Sequence, residues 1–193
     1  MNICVFGSAS TEIDKSYIDA GERLGEEMAK RDHTLVFGAG CNGLMGAVAR
    51  GVHRFGGKVI GVIPTFFEDN EIEVIYRKCD ELIYTETMSE RISTMTKLSD
   101  AFITAPGGVG TFEEFFEIFT LKQLGRHTKP IAVFDTNNYY KKLDEFLQHA
   151  VEEKFIRKEC QALWHYSDDI NDVLDYIEND KRVKKDVHDL KNG

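Results

Sequence analysis

The first stretch suited to chemistry is a glycine-rich turn between an apolar run and an amphipathic segment. The apolar run covers residues 101–105 and the turn reads Pro-Gly-Gly-Val-Gly at 106–110. Phenylalanines at helical spacing follow, and Gly125 ends that segment. Glycines let main-chain amides approach a ligand closely, and a helix N-terminus adds unpaired N–H groups with partial positive charge. The sequence therefore predicts a strand, a turn and a helix that bind a phosphate-sized anion.

Two side chains at the start of this predicted helix have alternative roles. Thr111 takes the N-cap position and Glu114 the third helical position, a capping box that only satisfies main-chain donors. Glu114 can instead face a ligand, where a carboxylate stabilises positive charge that develops on a bound sugar. The pattern leaves both roles open.

An arginine breaks the apolar stripe of another predicted helix, at residues 88–98. Met88, Met95 and Leu98 occupy its inward positions, and Arg91 takes one that the pattern assigns to an apolar residue. A buried guanidinium needs an anionic partner, and its planar shape suits a phosphate or a carboxylate. The alternative is that Arg91 lays its stem along the helix and keeps its charge in water.

Two further glycine turns follow predicted strands. Gly7 and Ser8 come after the first strand and either line the same crevice or form a plain loop. Residues 38–43 match G-x-G-x-x-G after the second strand. A dinucleotide site would also need an acidic residue at the end of the following strand, which here ends in Pro64 and Thr65. We interpret residues 38–43 as a second glycine turn at the ligand edge of a parallel sheet.

The segment at residues 65–80 has no clean period and mixes aromatic with acidic residues. We interpret it as a loop over the crevice. Glu73 within it either contacts a ligand hydroxyl or is a solvated surface carboxylate.

Predicted strands and helices alternate along the chain, which favours a doubly wound α/β fold. We expect a single Rossmann-like domain over residues 1–180, with a mostly parallel sheet of about seven strands and helices on both faces. The polar tail at 181–193 should fray. The expected strands lie at 3–6, 34–37, 58–63, 81–84, 101–105, 131–135 and 163–166. The expected helices lie at 14–31, 44–55, 88–98, 111–124, 139–155 and 168–179.

Composition excludes several classes of partner. The 193-residue chain has a formal net charge of −9, which argues against general affinity for nucleic acid or an anionic membrane. Its four cysteines have neither disulfide-framework nor zinc spacing, which suits reduced thiols in a cytoplasmic protein. The first ten residues read as a strand and a turn rather than a signal peptide.

The sequence also lacks the residue patterns that several familiar chemistries require. The histidines never pair at metal spacing, and the turn at 106–110 lacks the lysine of an NTP-binding P-loop. No lysine is marked out for a pyridoxal phosphate Schiff base, and no apolar run is long enough to span a bilayer. We therefore expect no metal and no cofactor.

The segment PGGVGTFEE at residues 106–114 resembles the PGGxGTxxE signature of the LOG family, the cytokinin riboside 5′-monophosphate phosphoribohydrolases. Some members of that family carry the label lysine decarboxylase. The resemblance covers residues 1–157 and includes CVFGSAS at 4–10, GLMG at 43–46 and LGRHTKPI at 124–131. It implies hydrolysis of the N-glycosidic bond of a nucleoside 5′-monophosphate, such as AMP or an N6-modified AMP, by a homodimer without a cofactor.

The resemblance also implies residue roles. Arg91 and Glu114 match the catalytic arginine and glutamate. The family segment M-H-x-R-K reads here with Ser89 and Ile92 in place of its histidine and lysine, so base preference or activity can differ. Together with the glycine turns, the residues expected to bind substrate or phosphate are Gly7, Ser8, Gly43, Glu73, Arg91, Gly107, Gly108, Val109, Gly110, Thr111, Glu114 and Thr120.

Three functions remain to be distinguished. A nucleoside 5′-monophosphate N-glycosidase is favoured by the presence of both Arg91 and Glu114. A non-catalytic nucleotide-binding or carrier protein on the same fold is the alternative, and the changes at Ser89 and Ile92 support it. An NAD-dependent oxidoreductase rests only on residues 38–43.

Overall fold

A computed structural model of the chain describes residues 1–69, 73–182 and 186–191. Residues 70–72 of the predicted loop, and residues 183–185 and 192–193 of the predicted tail, lie outside the described residues. The strands are β1 (Asn2–Phe6), β2 (Thr34–Phe37), β3 (Val59–Pro64), β4 (Glu81–Thr85), β5 (Ala101–Thr104), β6 (Ile131–Phe134) and β7 (His165–Ser167). They form one sheet in the order β4-β3-β2-β1-β5-β6-β7, and each neighbouring pair is parallel.

Helices cover both faces of this sheet, which confirms the predicted doubly wound α/β fold. The helices are α1 (Lys15–Lys30), α2 (Gly43–Arg54), α3 (Thr65–Asp69), α4 (Met88–Leu98), α5 (Val109–Gln123), α6 (Lys141–Glu152), α7 (Ile170–Asn179) and α8 (Val187–Leu190). α1, α2 and α7 pack on one face, and α4, α5 and α6 pack on the other.

The central strands are apolar on both faces because helices bury both. In β1, Ile3 and Val5 join the core under α1 and α2, while Cys4 and Phe6 join the core under α4 and α5. All four side chains are at most 1% exposed. This continuous burial explains why the strands read as short apolar runs rather than as alternating patterns.

The strand order changes direction between β1 and β5. β1 to β4 extend toward one edge of the sheet, and β5 to β7 extend toward the other. In such sheets a crevice opens at the carboxyl ends of the strands on either side of this point. The three predicted glycine turns follow β1, β2 and β5, so all three lie at that end of the sheet.

Three local predictions are wrong. α5 begins at Val109 rather than Thr111, because Gly108 serves as its N-cap. The segment predicted as an irregular loop begins with the short helix α3. α6 begins later than predicted, because a turn with left-handed Asn137 and Asn138 precedes it.

The tail also contains a short helix that its polar sequence does not predict. α8 places Leu190 against Cys160 and Leu163, and Leu190 is only 1% exposed. A single buried leucine in a four-residue helix has no periodic pattern, so the sequence gives no signal for it.

Candidate active site

A cleft of about 310 Å³ opens above the carboxyl ends of the central strands. The turns after β1 and β5 form part of its wall, and α4 and α5 supply charged side chains. The residues that line it are Gly7, Ser8, Ala9, Met45, Phe67, Glu73, Met88, Arg91, Gly108, Gly110, Thr111 and Glu114. The cleft therefore brings together most of the residues predicted from the sequence.

The N-terminus of α5 presents main-chain amides at the rim of this cleft. Gly108 is its N-cap, and no side chain among the described residues caps it. By helix geometry the amides of Val109, Gly110 and Thr111 lack intrahelical acceptors, and residues 108–110 are exposed. The neighbouring turn is tied in place because the Ser8 amide donates to the Pro106 carbonyl (3.0 Å). This arrangement has the geometry and the partial positive charge of an anion site.

The capping-box role of Thr111 and Glu114 is wrong, because both residues lie inside the helix. Thr111 is the third residue of α5 and is 4% exposed. Its side chain occupies the space beside Gly107, where a Cβ would lie 2.1 Å from the Thr111 Oγ1 atom. Glu114 is the sixth residue of α5, so its carboxylate is free to face the cleft.

Arg91 and Glu114 form a buried ion pair at the cleft. Nη1 of Arg91 donates to Oε1 of Glu114 at 3.1 Å, and each residue is 6% exposed. Nε of Arg91 also donates to the Val62 carbonyl (3.3 Å), and the guanidinium lies 6.0 Å from the ring centroid of Phe67. The inward position predicted for Arg91 is thus observed, with Glu114 as its anionic partner.

Burial controls the charge of Glu114. It raises the pKa of this carboxyl group from its usual value to about 7, even though Arg91 lowers the pKa. Glu113 and Glu73 raise it further through charge repulsion. A carboxyl group with a pKa near neutrality can change protonation state at physiological pH, which is characteristic of groups that take part in acid–base chemistry.

Glu73 approaches the same pair from the loop after α3. It is partly buried in the cleft, and burial raises the pKa of its carboxyl group while Arg91 opposes that rise. Its buried Oε1 atom has no hydrogen-bond partner among the described residues. This oxygen is enclosed beside Gly40, while the Glu73 side chain as a whole lines the cleft. The solvated-carboxylate alternative is therefore wrong for Glu73.

Four predicted residues are not among those that line the cleft: Gly43, Gly107, Val109 and Thr120. Gly107 precedes the N-cap of α5 and Val109 follows it. Thr120 is exposed on the outer face of α5. Gly43 is buried behind the turn after β1, where a Cβ would lie 2.4 Å from the Ser8 carbonyl oxygen, and its φ is +61°. Gly43 thus supports Ser8 from behind and has no surface in the cleft.

Sequence reasoning missed an apolar wall. Met45, Phe67 and Met88 line the cleft together with the charged residues. Met88 belonged to a recognised helical stripe, but Phe67 lies in the segment without a period, so no pattern marked it. Such a wall provides a surface for a flat, apolar ligand group.

The described residues contain no group of three or more His, Cys, Asp or Glu side chains that could hold a metal ion. Across the same ranges, no helix has the length and apolar character needed to cross a membrane.

These features define a class of protein. A doubly wound parallel sheet carries, at its switch point, an anion site made of amides and a buried acid–guanidinium pair, as expected of a nucleotide-processing Rossmann-like protein. A family profile described as "Possible lysine decarboxylase" matches residues 45–177. Similar proteins from Arabidopsis thaliana include the cytokinin riboside 5′-monophosphate phosphoribohydrolases LOG2, 38% identical over 161 residues (83% of this chain, 75% of LOG2), and LOG5, 36% identical over 185 residues (96% and 80%). The chain belongs to this LOG family.

Solved structures show the same fold at lower sequence similarity. The molybdenum cofactor carrier protein of Chlamydomonas reinhardtii superposes with a TM-score of 0.67 and 20% identity, covering 92% of this chain and 95% of that one. The molybdenum cofactor binding protein of Rippkaea orientalis gives a TM-score of 0.69 and 18% identity, covering 92% and 94%. At this level of identity the likeness concerns the fold alone.

Proposed function

We propose that this protein is a phosphoribohydrolase that cleaves the N-glycosidic bond of a nucleoside 5′-monophosphate, AMP or an N6-modified AMP, to give the free base and ribose 5-phosphate. The observation that carries the proposal is the buried pair of Arg91 and Glu114, 3.1 Å apart, beside the exposed amides of α5. The names of its LOG relatives support the same reaction.

The substrate phosphate binds the amides of residues 108–111, with Gly7, Ser8 and Gly107 shaping the turns around it. Amides at a helix N-terminus favour an anion, and anchoring the phosphate fixes the ribose relative to the rest of the cleft. The apolar wall of Met45, Phe67 and Met88 faces the same space and offers contact surface to the base.

Glu114 acts on the sugar in its ionised form. When the bond from the anomeric carbon to the base breaks, its electron pair leaves with the base and positive charge develops on the ribose. The Glu114 carboxylate stabilises that charge and orients a water molecule. The water oxygen bonds to the anomeric carbon and Glu114 accepts a water proton. The departing base takes up a proton from the solvent, and Glu114 then releases its proton to the solvent.

Arg91 keeps Glu114 competent for this role. Because burial alone would protonate the carboxyl group at neutral pH, the neighbouring guanidinium is needed to hold a useful fraction ionised. Glu73, which lines the cleft, accepts a hydrogen bond from a ribose hydroxyl through its carboxylate.

The chemistry of the cleft supports hydrolysis over the decarboxylase reaction that the family description mentions. Pyridoxal phosphate chemistry requires a lysine that forms a Schiff base. Among the described residues, no lysine lines the cleft.

A direct assay tests the proposed function. The protein is incubated with AMP and with an N6-modified AMP, and free base and ribose 5-phosphate are measured, with the Glu114→Gln variant as control. Products that depend on Glu114 support the proposal. Saturable binding of the monophosphate without release of base would instead support the carrier alternative, for which Ser89 and Ile92 remain the sequence argument.

The protein works as a cytoplasmic homodimer in this proposal. Val109, Phe116 and Thr120 share the outer face of α5, where Val109 is 84% and Phe116 36% exposed. An exposed apolar helix face is typical of a subunit interface, and a role for Thr120 in binding would require that a second copy lie against this face. Sedimentation analysis of wild type and Phe116→Asp tests the dimer: a wild-type monomer contradicts it. The four free cysteines suit a reducing compartment.

A further inference from the structure

Backbone conformation does not explain why the turn after β2 has glycine at positions 38 and 40. Gly38 and Gly40 lie outside the left-handed region, and the residue with positive φ is Ala39 between them, at 61°. The turn matches the first glycines of a dinucleotide fingerprint, yet it does not line the part of the cleft where the α5 amides lie. The presence of glycine at both positions therefore needs a different reason.

Charged side chains from elsewhere in the chain occupy the space that side chains at these positions would take. A Cβ on Gly38 would lie 1.8 Å from Nη2 and 2.9 Å from Cζ of Arg91. A Cβ on Gly40 would lie 2.0 Å from Oε1 and 2.9 Å from Cδ of Glu73, and 2.5 Å from the flexible end of Met45. Both contacts are far shorter than van der Waals distance, so an alanine would displace the charged group.

Hydrogen bonds hold the guanidinium of Arg91 and the main chain on either side of Glu73. Arg91 is held by Nη1 to Glu114 (3.1 Å) and by Nε to the Val62 carbonyl (3.3 Å). The loop that carries Glu73 is fixed to the glycine turn by two main-chain hydrogen bonds, from the Cys41 amide to Val74 and from the Tyr76 amide to Ala39, both 2.7 Å. The glycine turn and the segment that carries Glu73 are therefore joined at the main chain beside the two charges.

We propose that Gly38 and Gly40 are positioning residues: Gly38 seats the guanidinium of Arg91 against Glu114, and Gly40 seats the carboxylate of Glu73 in the cleft. The glycine motif thus serves the protein's own charged side chains rather than the phosphates of a dinucleotide. The seating follows from the contacts alone, and only its effect on turnover rests on the proposed function.

A double-mutant cycle on stability tests the seating without any substrate. Urea unfolding is measured for Gly38→Ala, Arg91→Ala and the double variant, and for Gly40→Ala, Glu73→Ala and their double variant. Gly38→Ala should lower the unfolding midpoint clearly in the wild-type background and by less than half as much when Arg91 is already alanine, because the clash has been removed. The Gly40 and Glu73 pair should behave in the same way.

The crossed pairs provide matched controls. Gly38→Ala with Glu73→Ala, and Gly40→Ala with Arg91→Ala, should be additive. Gly61→Ala is a steric control, since a Cβ there would crowd Ala39 and Cys79 at 2.9 Å without touching either charge. Its effect should be the same with and without Arg91→Ala. Equal losses in every background would overturn the seating. If Gly38→Ala does not fold alone, recovery of folding in Gly38→Ala/Arg91→Ala supports it and failure of the double variant overturns it.

Kinetics then separate the two glycines. Gly38→Ala should lower kcat at least tenfold with little change in KM, because it moves the cation that supports Glu114. Gly40→Ala should mainly raise KM, because it moves a group assigned to substrate binding. Identical changes in kcat and KM for both variants would contradict the separate roles proposed for Gly38 and Gly40. Coupled stability effects in a protein without hydrolytic activity would leave the seating intact and refute the proposed function instead.

Discussion

Two opposing effects act on the pKa of the Glu114 carboxyl group. Its ion pair with Arg91 favours the charged form, but the loss of water on burial disfavours it more strongly, so the pKa rises to about 7. A buried ion pair of this kind is a weak source of stability, since desolvation can exceed the attraction between the charges. The arrangement is better explained by function, because it gives a carboxyl group that is reactive near neutral pH.

Replacing Glu114 with glutamine should remove a pH dependence of stability and abolish most activity. The folded-state pKa lies above that of an unfolded glutamate, so the wild type loses stability as pH rises from about 4.5 to about 7 and regains none above. A shift of this size corresponds to about 3 kcal/mol. In urea unfolding, the stability of Glu114→Gln relative to the wild type should therefore rise by about that value between pH 4.5 and pH 8, while kcat falls at least about 100-fold. A relative stability that does not change between these two pH values would contradict the raised pKa.

The pH dependence of kcat/KM should report the protonation of Glu114 in the free protein. If the carboxylate is the active form, kcat/KM rises with pH through a midpoint near 7 and then levels off. In Arg91→Ala the midpoint should move to higher pH, because Arg91 lowers the pKa of Glu114 in the wild type. Initial rates at substrate concentrations well below KM, from pH 5 to pH 9, measure both midpoints. A kcat/KM that falls through pH 7 would assign Glu114 as a proton donor.

At the level of single elements, sequence patterns located helices and strands better than they located helix starts. β2 and α4 begin and end where the patterns predict, at Thr34–Phe37 and Met88–Leu98. For α5 the preference of threonine for the N-cap pointed to Thr111, but Gly108 is also an acceptable N-cap and leaves two more amides at the cleft. Local preference could not choose between these starts, because the choice depends on the packing of Thr111 beside Gly107.

The amide of Val109 offers a selective test of the anion site. Val109 is the first residue of α5, where proline is tolerated, and Gly108 has the extended conformation that precedes proline readily (φ −98°, ψ −152°). Val109→Pro should therefore preserve the fold while removing one N–H donor. Loss of one hydrogen bond to a charged phosphate predicts a KM for AMP about 10- to 100-fold higher.

Val109→Ala is the matched control for this variant. It keeps the amide and removes a side chain that is 84% exposed, so its KM should stay near the wild-type value. Equal KM values for the proline and alanine variants would place the phosphate away from this amide. Thermal unfolding of both variants checks that the fold is retained.

On the scale of the whole molecule, the sequence predicted the architecture but not the contacts between distant segments. Alternating strands and helices were sufficient for a seven-stranded doubly wound sheet with its glycine turns at one end. The seating of Arg91 beside Gly38 joins residues 53 positions apart, and no local pattern encodes it. The same limit applies to the tail, whose single buried leucine packs against residues near position 160.

The C-terminal segment provides the last test, of the domain boundary. The carbonyl of Leu190 accepts hydrogen bonds from Gln123 (3.1 Å) and from Cys160 (3.2 Å), and its side chain is buried. Leu190→Ala should therefore lower the free energy of unfolding by about 2 kcal/mol, whereas Asp189→Ala, at an exposed position of the same helix, should change it by less than about 0.5 kcal/mol. A chain ending at residue 180 should still fold as the proposed domain, with a loss at least as large as that of Leu190→Ala, in urea unfolding followed by circular dichroism. Unchanged stability in that shortened chain would mean that α8 contributes nothing to the core, because the burial of Leu190 would then have no energetic consequence.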